Sequence, residues 1–338
     1  MKFLVIRFSS IGDIVLTSPV VRCLKTQLPD CEVHFLVKPQ FRMVVANNPY
    51  IDKIHVLQTD WNAMMEGLRA EKFDQIIDLH HNLRTLRVKS GLKVPSVAFN
   101  KLNFHKLVFV KLKWNVMPKV HIVDRYLDTV KGFGVVNDGM GMDYFIAPTE
   151  ETSEKDIPAS HHAGYIALVI GASFPTKKLP VEKLQELCRA IDHPIILLGG
   201  PEERAEGDTV ASVDPGKVYN ACGKFSLNES ADLVRKARVV IAHDTGLMHI
   251  AAALKKPVIA IWGSTTPSFG MVPYYGAKFS SRRDTRPWDD VQVHKLWCRP
   301  CTKIGRHRCP QGHFKCMKNI SIAEIVDNVR FRLGRSTG

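Results

Sequence analysis

The sequence predicts an α/β fold built from two doubly wound, Rossmann-like domains that face a central cleft. Short apolar runs of strand length alternate with amphipathic stretches of helix length, which is the βαβ pattern of parallel sheets covered on both faces. The chain has 338 residues, of which 45% are hydrophobic and 24% charged, enough to bury the cores of two domains. A polar, proline-containing stretch at 147–163 interrupts the pattern and predicts a linker between them.

Three parts are expected along the chain: an N-terminal domain over residues 1–155, a C-terminal domain over 156–320 and a C-terminal closing helix over 321–338. In the first domain, strands are predicted at Lys2–Phe8, Glu32–Val37, Lys53–Leu57, Phe73–Leu79 and Val94–Phe99, and helices at Ile14–Leu28 and Asn62–Lys72. In the second domain, strands are predicted at Tyr165–Ile170, Ile195–Leu198 and Lys217–Tyr219, and helices near Val181–Ala190 and Asn228–Ala237. After Ser264 the regular pattern fades until the closing helix, whose apolar spacing covers Ile322–Leu333.

The stretch 238–264 is the one around which the second domain is expected to be organised. An apolar strand leads through a tight turn, His243–Gly246, into a helical stripe that ends before Pro257, where another apolar strand begins. In an open parallel sheet, ligands bind where the carboxyl end of a strand meets the amino end of a helix. The backbone amides of Thr245 to Met248 are therefore predicted to bind an anion such as a diphosphate.

A second candidate site follows the first strand, in the turn Ser-Ser-Ile-Gly-Asp at residues 9–13. Asp13 lies there beside Gly12 and the hydroxyl group of Ser10, and a carboxylate at the mouth of a cleft can act as a general base. The alternative is that Asp13 caps the following helix. The turn lacks the G-x-G-x-x-G spacing of dinucleotide-binding folds, which argues against a nicotinamide or flavin cofactor.

Two further turns carry charged side chains. Lys177 and Lys178 precede Pro180 at a predicted helix start, which disfavours cations, so they either meet an anionic ligand or are ordinary surface lysines. In the turn Gly-Gly-Pro-Glu-Glu, the glycines let the backbone approach a ligand, and Glu202 or Glu203 can accept hydrogen bonds from ribose hydroxyl groups. The alternative is a plain helix start with acidic residues in its first turn.

His249 and a group of cysteines each leave two interpretations. His249 has apolar neighbours and is either a buried structural histidine or, one turn into its helix, a phosphate ligand. Near the C-terminus, a group of four cysteines begins with C-x-x-C, and a structural zinc ion there is possible but less favoured than free thiols or simple packing. The four are Cys298, Cys301, Cys309 and Cys316.

The formal charge of +14 is concentrated in one segment. No Asp or Glu occurs between Leu79 and Val123, while nine Lys and Arg residues are interleaved there with Leu, Phe and Trp. Such a segment suits a phosphorylated or membrane-surface partner, or it is a solvated basic face. Nucleic acid is not expected as a partner because no recognised binding motif accompanies the charge.

The first residues lack the pattern of a signal peptide, and no stretch approaches the ~18 apolar residues of a membrane span. A cytoplasmic, globular protein is therefore expected. Its eight cysteines are then expected to be reduced thiols.

Four motifs, in order along the chain, resemble those of glycosyltransferase family 9, the lipopolysaccharide heptosyltransferases. They are F-S-S-I-G-D-I-V-L-T-S-P at Phe8–Pro19, T-K-K-L-P at Thr176–Pro180, G-G-P-E-E at Gly199–Glu203 and D-T-G-L-M-H-I-A-A-A at Asp244–Ala253. The resemblance implies the GT-B architecture, with the acceptor bound mainly by the first domain and a nucleotide sugar by the second. It also implies inversion at the anomeric centre without a metal ion. Leu179 stands where many members of the family have a Trp.

The resemblance also assigns roles to residues. Asp13 becomes the general base, Lys177 steadies the diphosphate, with Lys178 as the alternative, and Glu203 or Glu202 holds the ribose, with Glu203 preferred. Asp244 contacts the sugar. The predicted donor-binding set is Ser10, Gly12, Lys178, Glu202, Glu203, Asp244, Thr245, Gly246, Leu247, Met248 and His249.

The implied activity is transfer of a heptose from ADP-heptose to the lipopolysaccharide inner core. The ADP-sugar is a co-substrate and no cofactor is required. The acceptor is a phosphorylated, lipid-linked oligosaccharide met by Arg84, Arg87 and Lys89, with peripheral contact to the anionic inner face of the cytoplasmic membrane. A GT-B nucleotide-sugar epimerase and a non-catalytic nucleotide-sugar or lipid-binding protein are the alternatives.

Overall fold

The computed structural model describes residues 1–276 and 285–334, and these contain two open parallel sheets. The five-stranded sheet has the order β3-β2-β1-β4-β5, with β1 Lys2–Ile6, β2 Glu32–Val37, β3 Lys53–Val56, β4 Gln75–Asp78 and β5 Ser96–Ala98. The six-stranded sheet has the order β11-β10-β9-β6-β7-β8, with β6 Ile166–Val169, β7 Ile195–Leu198, β8 Val218–Asn220, β9 Val239–His243, β10 Val258–Trp262 and β11 Trp288–Gln292. Every strand pairing is parallel, as predicted.

Helices connect the strands of both sheets. Those before β6 are α1 Ile11–Val15, α2 Ser18–Gln27, α3 Trp61–Ala70, α4 Leu83–Leu92, α5 Asn103–Leu112 and α6 Ile122–Leu127. Those after β6 are α7 Val181–Ala190, α8 Arg204–Ala211, α9 Leu227–Lys236, α10 Gly246–Ala253, α11 Lys315–Lys318 and α12 Ile322–Leu333. Among the described residues, none of these helices is both long and apolar enough to span a bilayer.

The chain groups into two compact units. The first unit consists of Met1–Lys101, Val120–Phe145 and Gly276. The second consists of Leu102–Lys119 and Ile146–Tyr275, together with the described residues from 285 onward. This grouping differs from the predicted division at residue 155, because α5 belongs to the second unit and that unit resumes before the stretch predicted as a linker.

The strands form the centre of each unit because their side chains are apolar on both faces. In the first sheet, Val5 lies opposite Phe35 and Ile77, and all three are buried. In the second sheet, Leu168 lies opposite Leu197 and Ile241 in the same way. The closing helix α12 has the predicted bounds and packs its apolar side chains into the core of the second unit.

Two predictions about elements are wrong. The helix predicted over Ile14–Leu28 is two helices, α1 and α2, because the Thr17 and Ser18 hydroxyl groups donate to carbonyl groups three residues earlier, each at 2.7 Å. Pro19 then lies in the first turn of α2, where its missing N–H is not needed. The prediction also omits β11, which carries two aspartates.

Each sheet reverses its direction of growth at one point. In the first sheet this point lies between β1 and β4, and in the second it lies between β6 and β9. Loops that leave two strands at such a reversal diverge to opposite faces, which opens a crevice where open α/β sheets bind ligands. The loops after β1 and β4, and those after β6 and β9, are therefore where a site is expected in each unit.

Candidate active site

In the first unit, Asp13 lies in the loop and helix that follow β1. Its Oδ2 accepts hydrogen bonds from the Ser10 backbone N–H at 3.2 Å and from the Ser10 hydroxyl group at 2.7 Å. This is the N-terminal capping arrangement of α1 that the sequence left as an alternative. The Asp13 side chain is nevertheless 22% exposed, so the same carboxylate can also reach a bound molecule.

Arg7 holds the other oxygen of Asp13. Its Nη2 lies 2.8 Å from Asp13 Oδ1, while its Nη1 donates to the Leu79 carbonyl oxygen at 2.5 Å and to the Tyr126 hydroxyl oxygen at 3.0 Å. Burial alone would lower the pKa of Arg7, but the Asp13 charge and its other partners outweigh it and raise the pKa. Arg7 is therefore a permanent cation that fixes Asp13 between the loops after β1 and β4. Arg7 was not singled out from the sequence, although it is visible there as a charged residue at the end of an apolar strand.

The predicted acceptor residues lie on α4 in the same unit. Arg84 and Arg87 are exposed, and the Arg87 guanidinium lies 4.1 Å from the centre of the Trp61 ring. Lys89 instead forms an ion pair at 3.0 Å with Asp78, which is fully buried at the end of β4. Two of the three cations are thus presented to a ligand, while Lys89 neutralises a buried carboxylate.

In the second unit, the predicted lysine and the strand–turn–helix stretch come together. Lys177 Nζ lies 2.7 Å from Asp244 Oδ2 and donates to the Asp244 carbonyl oxygen at 3.1 Å. Thr265, in the loop after β10, donates its hydroxyl hydrogen to Asp244 Oδ2 at 2.8 Å. Loops after three strands thus meet at the reversal point of the sheet. Thr265 was not singled out from the sequence, which contains no local motif that marks it.

The amino end of α10 lies at this point. Thr245 is its N-cap and makes no side-chain capping hydrogen bond, so the first amides of the helix are not capped by that hydroxyl group. Thr245, Gly246 and Leu247 are partly exposed, whereas Met248 and His249 are buried, with His249 only 2% exposed. The arrangement suits an anion bound by backbone amides, and the burial of His249 matches the structural interpretation of that residue.

The second lysine is engaged differently from the first. Lys178 Nζ lies 2.5 Å from Glu206 Oε2 and 3.4 Å from Glu203 Oε1. Burial opposes its charge, but the hydrogen bond and charge of Glu206, with those of Glu203, raise the pKa of Lys178 above its ordinary value. Lys178 is therefore a structural cation. It joins α8 to the loop after β6 that carries both lysines, which is called the lysine loop here.

The two predicted ribose ligands also separate. Glu203 is only 5% exposed, and its Oε2 accepts the backbone N–H of Gly200 at 2.9 Å. It lies so close to Gly171 that an added Cβ there would be 3.0 Å from Glu203 Oε2. Glu202 is exposed and its carboxylate lies over Gly200. Glu202 is thus the glutamate open to a ligand, and Glu203 shapes the turn.

His243 fixes the backbone of the lysine loop from below. It is fully buried at the end of β9, and its Nε2 accepts the backbone N–H of Leu179 at 2.9 Å. Burial, assisted by the charge of Lys178, lowers the pKa of His243 to about 3. The ring is therefore neutral with its proton on Nδ1, and it can accept this hydrogen bond at any ordinary pH.

The cysteine-rich segment, defined here as residues 293–316, supports the same loops. Arg299 donates from Nε to the Gly263 carbonyl oxygen at 2.7 Å and from Nη2 to the Thr265 carbonyl oxygen at 2.8 Å. Thr176 accepts the backbone N–H of Arg306 at 2.8 Å, and the Ser264 hydroxyl group donates to it at 3.0 Å. The segment is therefore part of the framework of the site.

Residues 1–276 and 285–334 include histidine, cysteine and carboxylate side chains that are able to ligate a metal ion. Within that range, one group brings three ligand atoms within 4.8 Å of one another, namely His34, His55 and Glu71 in the first unit. The four cysteines of the cysteine-rich segment do not form such a group among these residues; Cys298 Sγ lies 3.8 Å from His313 Nε2. A structural zinc ion on the four thiols therefore stays the less favoured alternative of the sequence prediction.

Comparisons with known proteins give a consistent result. The family model described as glycosyltransferase family 9 (heptosyltransferase) matches residues 61–303. The lipooligosaccharide heptosyltransferase 2 of Haemophilus influenzae is 24% identical over 294 residues, which cover 80% of this chain and 85% of that protein. The solved structure of the E. coli ADP-heptose LPS heptosyltransferase II has a TM-score of 0.74 at 17% identity and covers all of both chains. That of the family 9 glycosyl transferase from Veillonella parvula has a TM-score of 0.76 at 20% identity, covering 99% of this chain and 97% of that one.

The structural likeness confirms the predicted fold class, because two Rossmann-like parallel-sheet units are the components of the GT-B architecture. The family match includes the lysine loop, the two glutamates, α10 and the C-x-x-C pair, whereas Asp13 lies outside it. The match extends over well more than half of the sequence. The chain therefore belongs to glycosyltransferase family 9 and is a glycosyltransferase.

Proposed function

We propose that this enzyme transfers a heptose from ADP-heptose to the inner core of lipopolysaccharide, with inversion and without a metal ion. The observation that carries the proposal is the meeting of Lys177, Asp244 and the amino end of α10 at the reversal point of the second sheet. The names of the relatives supply the sugar and the acceptor. The second unit would then bind the donor and the first the acceptor.

The donor diphosphate is the chemical centre of the proposal. As the glycosidic bond to ADP breaks, negative charge grows on the departing phosphate oxygen and must be stabilised. Lys177 supplies a cation and α10 supplies backbone amides at the positive end of its dipole. Asp244 holds Lys177 in place and lies where it can also contact a sugar hydroxyl group. These groups do together what a bound metal ion does in other transferases.

The acceptor step is assigned to Asp13. The acceptor hydroxyl oxygen attacks the anomeric carbon on the face opposite ADP, forming the new C–O bond as the bond to the phosphate oxygen breaks and its electron pair leaves with ADP. The hydroxyl proton passes to the Asp13 carboxylate. Arg7 and Ser10 would position that carboxylate by holding both of its oxygens. Gly12 and Ser10 would lie along the donor at the start of α1.

The remaining contacts follow from exposure. Glu202, the exposed glutamate of its turn, would hold the ribose, with Glu203 supporting the turn from below. Arg84 and Arg87 would meet phosphate groups of the lipid-linked acceptor. The protein would act at the inner face of the cytoplasmic membrane as a peripheral enzyme.

The test is incubation of purified protein with ADP-heptose, with and without a heptose-deficient core acceptor, followed by mass spectrometry. Transfer to the acceptor with release of ADP is the expected result. Acceptor-independent conversion of the sugar would identify an epimerase, and donor binding without turnover would identify a binding protein. A parallel reaction in excess chelator is expected to run at the same rate, and loss of activity that Zn²⁺ or Fe²⁺ restores would overturn metal independence.

A further inference from the structure

We infer that α5 and the cysteine-rich segment together form a surface that docks onto an anionic lipid bilayer. This surface is called the α5 face here and is defined by the stretch 102–119 together with Trp297, Lys303 and Ile304, all in the second unit. The inference rests on the proposed function only in supplying a membrane for a lipid-linked acceptor. Its structural basis is independent of the reaction.

Apolar side chains extend into solvent from α5 and from Trp114, two residues beyond its end. Phe104 is 73% exposed and Trp114 is 69% exposed, and Leu107 and Leu112 are exposed between them. Phe104, Leu107 and Lys111 follow one another at helical spacings of three and four, so they share one face. These are large side chains that a soluble surface rarely collects in one place.

The opposite face of α5 is anchored, so the exposed side chains are held on a fixed helix. Phe109 is buried and packs edge to face on Phe269, with ring centres 5.8 Å apart. Lys113, which caps the helix, donates to the Cys298 carbonyl oxygen at 3.1 Å and to the Pro300 carbonyl oxygen at 2.8 Å. Because the opposite face is held in this way, the apolar side chains of α5 are fixed facing outward.

The cysteine-rich segment extends this surface. Trp297 is 68% exposed and Ile304 is also exposed. A shallow hollow lined by Val110, Lys111, Lys113 and Trp297 joins α5 to this segment. Trp297 lines this hollow, and Trp114 directly follows Lys113, which also lines it. Tryptophan is strongly enriched at the boundary between lipid and water.

The charge of both elements matches an anionic surface. The sequence has no Asp or Glu from residue 80 to 123, and again none from 291 to 323. Exposed cations accompany the apolar side chains on the α5 face and next to it: Lys111, Lys119, Lys303, Arg306 and Arg308. An apolar stripe bordered by Lys and Arg is the composition of helices that lie in the bilayer interface. A nucleic-acid groove would need the cations but not the exposed apolar side chains, three of which lie on α5 and a fourth, Trp114, just after it.

The experiment is co-sedimentation of the full chain with vesicles of phosphatidylethanolamine and phosphatidylglycerol, beside vesicles of phosphatidylcholine alone. Wild type is expected to bind the anionic vesicles, with a blue shift of tryptophan emission and quenching by brominated lipid. The double variant F104S/W114S is expected to bind at least about tenfold more weakly. The charge variant K111E/K303E is expected to bind the anionic vesicles more weakly than wild type, and this difference should be largest at low salt.

The matched control is V136S/M140S, which removes two equally exposed apolar side chains from the first unit. It should bind vesicles like wild type, and all variants should keep the wild-type thermal unfolding midpoint. Equal loss in the control, or no binding by wild type, would overturn the inference. So would a change from dimer to monomer in F104S/W114S by light scattering, which would assign the face to a second copy, or loss of duplex RNA binding in step with vesicle binding.

Failure of the inference is separable from failure of the proposed function. With a detergent-dispersed acceptor, F104S/W114S should transfer sugar like wild type, because no bilayer is needed. Vesicle binding without any transfer would leave the α5 face standing and remove the heptosyltransferase proposal.

Discussion

The two units place their candidate residues at the same topological position but use opposite charges. In the first unit, the reversal between β1 and β4 presents a carboxylate, Asp13, held by a buried arginine. In the second, the reversal between β6 and β9 presents a lysine, Lys177, held by a carboxylate. The fold thus places a candidate site at the same point of each sheet, and the ion pair there suits the different roles proposed for the two units, removal of a proton in the first and binding of an anion in the second.

The two loops also differ in which of their groups remain available to a ligand. Both oxygens of Asp13 are already bonded to protein groups, so its loop is arranged to position one side chain. The loop at Lys177 adjoins a helix whose first amides are not capped by the Thr245 hydroxyl group, so it presents several donors to one ligand. The predictions below test this division of labour between a single group and a set.

The largest effect is expected from Asp13→Asn. The amide oxygen can still accept the Ser10 hydrogen bonds, but the amide NH2 group cannot take a proton and no longer pairs with Arg7. We therefore expect kcat to fall by about 1,000-fold while donor affinity, measured by calorimetry, is retained. Asp30→Asn, an exposed change in the same unit, is the control. If Asp13→Asn lowered only the unfolding midpoint and left kcat intact, the carboxylate would be a helix cap and nothing more.

Lys177→Ala is expected to lower kcat/KM by about 100-fold, the size of one missing electrostatic donor. Lys178→Ala should show the reverse balance, with a smaller kinetic loss and a larger fall in unfolding midpoint, because it leaves the buried Glu203 without its cation. Lys183→Ala on α7, whose lysine pairs with Glu186 in solvent, is the control. Steady-state kinetics and thermal unfolding on all three proteins check this, and an exchanged pattern would transfer the diphosphate role to Lys178.

Thr265→Val should cost about tenfold in kcat/KM, the worth of one hydrogen bond to a charged group. The side chains have similar volumes, so the lost hydroxyl donor to Asp244 is the main change. Thr209→Val on the exposed face of α8 is the comparison variant. Equal rates for wild type and Thr265→Val would show that Lys177 alone orients Asp244.

The smallest effect concerns acid stability, to which both units contribute. Burial lowers the pKa of His55 and His80 in the first unit to about 4, and that of His243 in the second to about 3. The unfolded chain binds these protons near pH 6.5, so stability is full above about pH 6.5 and falls as the pH drops towards 4. Unfolding midpoints measured across this range should decline, with a shallower decline in His243→Gln. An unchanged slope in that variant would assign the acid sensitivity to the other histidines whose pKa burial lowers, which include His161 in the second unit.

The sequence was sufficient for the elements whose cause is local. Strands such as Glu32–Val37 are buried apolar runs, and the helix start at Gly246 is marked by its turn. β11 was missed because its aspartates suggest a loop, yet each finds a distant partner in the folded chain. Asp289 pairs with Arg332 at 2.8 Å, and Asp290 accepts the indole N–H of Trp262 at 2.9 Å.

The same limit applies to the site. Lys177, Asp244 and the α10 amides could be predicted because each lies in a recognisable turn. Arg7 and Arg299 could not be assigned, because each also bonds carbonyl groups tens of residues away, Leu79 for Arg7 and Gly263 for Arg299, which only the folded sheet brings near. Glu203 was preferred as the ribose ligand, but its side chain is buried. The sequence does not indicate which of two adjacent glutamates points inward.

The position of Arg299 has a consequence for engineering donor preference. Its guanidinium donates to the carbonyl oxygens of Gly263 and Thr265 in the loop after β10 and to that of Val293 after β11. A chimera that exchanges the loop after β10 between relatives without residues 293–306 would leave this arginine facing the wrong carbonyl groups. Grafts that carry residues 293–306 along with the loop are the ones expected to fold and to keep the specificity of the parent.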